Sequence, residues 1–154
     1  MRLTRHTDYA LRLLMLLALE PEGKHTIEEA ARRYRVSRNH LMKVTQTLVE
    51  AGFVGALRGR GGGLRLARPA EAINLGAVVR ATEESLDLVE CFDGETNSCV
   101  VAPACGLRGP LRDALNAFFK VLDVYSLADL IKGPASARRM RGLLADSPGS
   151  EARP

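Results

Sequence analysis

The chain is 154 residues long, enough for one domain or a small domain with a helical extension, and anything much larger is excluded. At 46% hydrophobic, 26% charged and 5% aromatic, without Trp, its composition excludes the disordered and collagen-like classes. The net charge of +4 is unevenly spread: residues 1 to 70 hold 13 Lys and Arg against 6 Asp and Glu, whereas residues 71 to 132 hold 5 against 10, which suggests a polyanion-binding front half and a back half built for another task.

Residues 4 to 19 are predicted to form a helix, with Tyr9, Leu13, Leu16 and Leu17 on one apolar stripe and Pro21 closing it. The longest apolar run, residues 13 to 19, falls far short of the ~20 residues of a bilayer span and is badly flanked for a secretory signal, so a cytoplasmic protein with no membrane role is expected. Thr26-Ile-Glu-Glu29 is a capping-box pattern that starts a second helix at Ile27, about two turns long, with Ile27, Ala30, Ala31 and Tyr34 at helical spacing and a stop near Arg35. Ser37 then N-caps a third helix through Glu50, with Leu41, Val44 and Leu48 on its buried side and Gly52 closing it.

Arg38, Asn39, His40 and Lys43 lie in the first turns of that third helix, off its apolar stripe, and are expected to face outward. Two short helices around a tight turn, the second opening on long polar side chains, form a helix-turn-helix that lays its recognition helix in the DNA major groove; the plainer reading is a helical hairpin with a solvated basic face. The chain beyond Gly52 favours the former. Residues 53 to 57 and 64 to 67 are strand-like and flank a glycine-rich basic connection, which reads as a β-hairpin wing whose Arg58, Arg60 and Arg65 meet phosphates or a narrow minor groove. Gly61 to Gly63 permit close backbone approach. A nucleotide cradle would need a helix N-terminus after the glycines, and a strand and Pro69 come instead.

Asn74 caps a further helix from Leu75 to about Glu83, with Leu75, Val78 and Val79 closing the core. Residues 86 to 106 show no helical periodicity and carry all three cysteines, Cys91, Cys99 and Cys105, so a loop held in shape by its ligand is expected. An odd number of cysteines argues against a disulfide framework, and in a reducing compartment clustered thiols bind metal or do redox chemistry. The C-x7-C-x5-C spacing matches neither zinc-ribbon hooks nor ferredoxin runs, and three protein ligands leave zinc one short and an iron-sulfur cubane with one iron to be served from elsewhere. Catalysis lacks support, since a nucleophilic Cys wants a positioned His and an oxyanion donor. Residues 107 to 125 read as a long amphipathic helix striped by Leu111, Leu115, Phe118, Leu122 and Tyr125, with Pro110 tolerable in its first turn. With no obvious intrachain partner for that stripe, a homodimer on a pseudo-palindromic operator is expected, packing on the chain's own winged domain being the alternative. Ser126 and Asp129 can cap a short helix, and from Gly133 onward the composition reads as a flexible tail with a transient helix near residues 138 to 144.

Met1-Arg-Leu-Thr-Arg-His-Thr-Asp-Tyr-Ala-Leu-Arg12, Val36-Ser-Arg-Asn-His40 and Arg58-Gly-Arg-Gly-Gly-Gly-Leu-Arg-Leu66 resemble the bacterial winged-helix regulators that include IscR and NsrR. Leu88-Val-Glu-Cys-Phe-Asp93, Ala102-Pro-Ala-Cys105-Gly-Leu and Tyr125-Ser-Leu-Ala-Asp-Leu130 are similar to the nitric-oxide-sensing repressors among them, over residues 1 to about 131. The IscR type uses a histidine three residues past the last cysteine, where this chain has Arg108. The resemblance implies an iron-sulfur cluster, 4Fe-4S rather than 2Fe-2S, held by Cys91, Cys99, Cys105 and a carboxylate near the N-terminus of the other subunit, which Asp8 matches. Arg12, one turn beyond Asp8, is placed to support that carboxylate or is an ordinary surface arginine.

The expected architecture is mainly α with a small β-wing: a winged helix-turn-helix DNA-binding domain over residues 1–82, a cysteine cluster-binding loop over 83–106, a dimerisation helix over 107–132 and a tail over 133–154. The expected function, carried by double-stranded DNA contacts from Ser37, Arg38, Asn39, His40, Lys43, Arg58, Arg60 and Arg65, is repression of detoxification genes relieved by nitric oxide. The alternatives are a sensor of iron-sulfur supply or redox state on the same fold, or a zinc-stabilised or cluster-carrying protein.

Overall fold

A computed structural model describes residues 2–57 and 62–145 of the chain. Its central element is α1 (Arg5–Leu19), which starts where the Thr4 hydroxyl accepts the Thr7 N–H. Leu13, Leu14, Leu16, Leu17 and Leu19 are each at most 2% exposed, an arc too wide for one apolar stripe. A helix buried over such an arc must be surrounded. Helix α2 (Ile27–Tyr34), α3 (Arg38–Glu50), α4 (Leu75–Thr82) and the second wing strand all pack on it.

Short polar side chains set the helix starts. The Thr26 hydroxyl accepts the Glu29 N–H at 3.1 Å, and Asn74 Oδ1 accepts the Ala77 N–H at 2.9 Å. Only half of the expected Thr26 box forms, because the Glu29 carboxylate turns to Arg33, one helical turn on, at 2.8 Å. Helix α2 ends on Arg35 in the left-handed conformation, φ 54°, which turns the chain into α3. Leu41, Val44 and Leu48 are buried as expected, and Gly52 at φ 71° lies just past the end of α3.

Strands β1 (Val54–Leu57) and β2 (Gly63–Leu66) pair antiparallel, Val54 opposite Leu66 and Leu57 opposite Gly63. The α1–α2 connection adds one rung, where the Leu64 N–H donates to the His25 carbonyl at 2.7 Å. A Cβ at Gly63 would stand 2.9 Å from that carbonyl oxygen, so this glycine serves a close approach inside the fold. The His25 ring is buried; its Nε2 lies 2.8 Å from the Glu20 carbonyl and donates there, while the buried Nδ1 meets no hydrogen-bond partner among the described residues.

Between α4 and α5 (Arg108–Leu122) the chain is irregular except for one-turn 3-10 helices at Glu90–Phe92 and Ala102–Ala104, too short to leave a periodic signal. Helix α5 begins with Pro110 in its first turn and is fastened to α4 by its C-terminal end. Arg80 grips Asp123 through two bonds of 2.6 and 2.8 Å and covers the Phe119 ring at 4.3 Å, while the Leu75 N–H donates to the Tyr125 carbonyl. Phe119, absent from the stripe expected of this helix, is the buried residue of α5. Leu111, Leu115, Phe118 and Leu122 are half-buried, and the exposed apolar side chains at this end are Val121, Val124 and Tyr125. The alternative for this helix is therefore met in part: it uses one edge on its own domain and leaves another open.

The turn Leu127–Leu130 carries the Ser126/Asp129 capping box complete and buries Leu127 in the core. The flexible tail expected from Gly133, with its transient helix near residues 138 to 144, needs correction over residues 134–145, which form a docked helix, α6 (Pro134–Ala145); residues 146–154 of that tail lie outside the described residues. Ala137 and Leu144 are buried, Met140 is half-buried between them, and Arg141 Nε donates to the Leu19 carbonyl at 2.9 Å, satisfying an end of α1. Among the described residues no helix is long and apolar enough to cross a membrane.

Candidate nucleic-acid interface and metal centre

Helix α3 presents Arg38, Asn39 and Lys43 to solvent, with exposed Ser37 at its cap, where the hydroxyl accepts the His40 N–H at 3.4 Å. His40 departs from the outward placement expected of it. Its ring packs 4.8 Å from the Tyr9 ring and 6.0 Å from the His6 ring, both on α1, because the first turns of α1 cross α3. Partial burial, then the neighbouring His6, Arg5 and Lys43, hold the His40 imidazole below its ordinary value. His6 completes the contact by bonding through Nε2 to the Thr47 hydroxyl at 3.1 Å. Sequence reasoning assigned Tyr9 to the core stripe and gave His6 no role; the available signal was their i, i+3 spacing, which puts both rings on one face of α1.

In the wing, Arg65 is exposed on β2 and its stem runs across Gly55 of β1. Arg58 and Arg60 lie outside the described residues. Arg68, which the sequence did not single out, donates from Nε and one terminal nitrogen to the Gly52 carbonyl at 3.0 and 2.8 Å, and its guanidinium lies 5.0 Å over the Phe53 ring. It thereby ties the wing root to the end of the recognition helix. An arginine this far along the chain from the glycine it bonds leaves no local pattern by which such a tie could be read.

The cysteines sit on the segment that joins α4 to α5. All three are unbridged and half-buried. Cys91 lies within the Glu90–Phe92 turn, which is pinned to α5 where the Arg112 guanidinium covers the Phe92 ring at 5.1 Å. The Cys99 N–H donates to the Asn97 side chain at 3.1 Å, and Cys105 ends the Ala102–Ala104 turn. Three free thiols suit iron or another thiophilic ion in donor chemistry. Among the described residues, however, no three His, Cys, Asp or Glu side chains are gathered into a metal-holding group within the one chain. The end of α4, where the cysteine segment begins, is laced to α1: the Thr4 N–H donates to Glu83 at 2.8 Å, and the buried Thr82 hydroxyl donates to Thr7 at 3.0 Å.

Asp8 stands on the same first turns of α1, about half exposed, and Arg12 meets both of its oxygens, Nε at 3.0 Å and a terminal nitrogen at 2.7 Å. The pair fixes the direction of the carboxylate and leaves its outer lone pairs open.

Known proteins fit this geometry. The pattern of the Rrf2 family, described as iron-dependent transcriptional regulators, matches residues 3–133. The HTH-type transcriptional regulator NsrR of Halalkalibacterium halodurans is 50% identical over 132 residues, covering 85% of this chain and 90% of that one. NsrR of Bacillus subtilis is 50% identical over 133 residues, covering 86% and 91%. The solved structure of T. potens IscR superposes with a TM-score of 0.69 at 25% identity, covering 86% of this chain and 87% of that one. The likeness runs along nearly the whole length of these regulators, and the chain belongs to the Rrf2 family of transcriptional regulators.

Proposed function

We propose that the chain acts in the cytoplasm as a homodimeric repressor whose affinity for a pseudo-palindromic operator is lowered by nitric oxide. The observation that carries this reading is the set of three unbridged, half-buried cysteines on the segment between α4 and α5, in a chain half identical to regulators named NsrR. Cys91, Cys99 and Cys105, with Asp8 of the partner subunit, would hold an iron-sulfur cluster, 4Fe-4S by resemblance. When bound, that group supplies iron with which nitric oxide reacts. The chain's own residues do the rest. Arg12 orients the Asp8 carboxylate, and the contacts of His6 and Tyr9 with α3 carry a shift of α1 to the recognition helix. Ser37, Arg38, Asn39, His40 and Lys43 read the major groove, while Arg58, Arg60 and Arg65 contact the flanking backbone or minor groove. Residues 1–82 form the reading unit, 83–106 the sensing segment and 107–132 the dimerisation element, with Val121, Val124 and Tyr125 offering the apolar face.

The test is metal and acid-labile sulfide analysis of anaerobically prepared protein, paired with operator binding before and after nitric oxide. Iron and sulfide in comparable amounts, lost on each Cys→Ala change, and a fall in operator affinity on exposure are expected. Stoichiometric zinc without sulfide would overturn the cluster. The family's description as iron-dependent favours one second reading, a sensor of iron-sulfur supply or redox state. Separate exposures to nitric oxide and to oxygen distinguish the two.

A further inference from the structure

His40 differs from every other residue offered for base reading. Ser37, Arg38, Asn39 and Lys43 are exposed, whereas the His40 imidazole is lodged against α1, 4.8 Å from Tyr9 and 6.0 Å from His6. Behind it runs a chain of hydrogen bonds. The Thr47 hydroxyl lies 3.2 Å from the Lys43 carbonyl and 3.1 Å from His6 Nε2, and with its one proton on that carbonyl it accepts from a protonated Nε2. The bond fixes the direction of the His6 ring. It also spans the two elements that would have to part for the recognition helix to move.

We propose that His6 is a positioning residue for operator recognition: bonded to Thr47 and ringed with Tyr9, it holds the His40 imidazole in the pose that contacts base edges. This rests on the reading of α3 as the recognition helix with His40 at a base edge. An imidazole already ordered in the free protein loses little rotamer freedom on binding, and a held ring discriminates against a base edge that a free one accommodates by turning. Removing His6 frees the ring and leaves the phosphate contacts intact, so it lowers the ratio of specific to non-specific affinity more than non-specific binding itself.

The full-length protein, prepared anaerobically, is titrated against a duplex obtained by in vitro selection with the wild-type protein and against a scrambled duplex of equal composition. The expected results are a loss of the specific-to-scrambled ratio of about 5- to 150-fold for His40→Ala, the range of one good base contact. His6→Ala loses about 2- to 10-fold, the range for freeing one side chain. Thr47→Val, which removes the acceptor, reproduces His6→Ala, and His6→Gln, which keeps an N–H donor, restores discrimination. In the His40→Ala background, His6→Ala has no further effect. If His40→Ala lowers the ratio and neither His6→Ala nor Thr47→Val does, the positioning role is overturned and the recognition reading stands. An equal loss from His6→Ala with and without His40 also overturns it, since His6 would then act by another route. If His40→Ala leaves the ratio unchanged, the base-reading assignment of His40 falls and this inference with it. Unchanged thermal midpoints in Thr47→Val and His6→Gln keep the comparison clear of folding effects.

Discussion

Tyr34 illustrates how one side chain joins two helices. It packs against the core and donates its hydroxyl to the mid-helix carbonyl of Arg12 at 2.8 Å, and burial pushes its pKa from the ordinary 10.0 up to about 12. Folding thus favours the protonated phenol. That contribution is complete below pH 10, declines as the unfolded chain ionises first, and is gone above pH 12. Tyr34→Phe should cost ~1 kcal/mol in urea unfolding at neutral pH and remove this alkaline slope. Gly76 is a second such residue: a Cβ there would stand 1.9 Å from Asp123 Oδ1 and 2.8 Å from the Arg80 guanidinium. Gly76→Ala is expected to destabilise by ~1 to 3 kcal/mol through overpacking, with much of the loss absent in an Asp123→Ala background. Asp8→Ala removes no large apolar group, so it should fold and dimerise while changing the visible circular dichroism of the holoprotein and its operator affinity or response to nitric oxide; a variant equal to wild type in all of these would disprove the ligand role.

At the scale of elements, the reading unit was legible because its signals are local. Thr26, Ser37 and Asn74 cap where short hydrogen-bonding side chains precede apolar periodicity, and each cap is present. The wing strands were legible for the same reason. Helix α6 was not. Its inward positions, buried Ala137 and Leu144 with half-buried Met140 between them, keep helical spacing, yet arginines interrupt them and one is only a methyl group, so the stripe disappears into a composition of small and basic residues. Its stability comes from docking rather than propensity. Leu144→Ala should therefore lower the urea midpoint by the equivalent of ~2 kcal/mol, an effect no free tail would show. Which residue of α5 is buried escaped sequence reading, because periodicity counts apolar residues without saying which neighbour arrives; Phe119 was claimed by Arg80, a contact between residues far apart in sequence. His6 and His40 were invisible as a pair for that same reason.

For the whole molecule, the charge division read from composition has a structural counterpart: the basic front half contains the recognition helix and wing, and the acidic stretch contains the cysteine segment and α5. Lys43→Ala and Arg65→Ala should each lower the salt dependence of operator binding by about one unit of log–log slope if they contact phosphate, or cost ~1 to 3 kcal/mol of discrimination if they contact a base. Val121→Glu with Val124→Glu should convert a dimer to a monomer in sedimentation equilibrium while leaving the far-ultraviolet spectrum unchanged, since both side chains are more than half exposed in the single chain. The three cysteines are legible in the sequence as candidate donors, whereas what would gather them is not, because thiol count is a property of the sequence and among the described residues no metal-holding group forms within the one chain.

The fastening of α5 by one end makes it a lever. Arg80 and Asp123 form the fulcrum, and the 15 residues of α5 give an arm of ~22 Å at 1.5 Å per residue. A tilt of ~5° about that point carries the far end through ~2 Å, about ten times the ~0.2 Å tolerance of a metal–ligand distance. Cys105 lies three residues before the moving end, and the Arg112–Phe92 clip couples Cys91 to the same arm. On the proposed reading, ligands mounted there would tie occupancy of the site to the inclination of α5, and two arms facing each other across a two-fold axis would convert that angle into the distance between recognition helices.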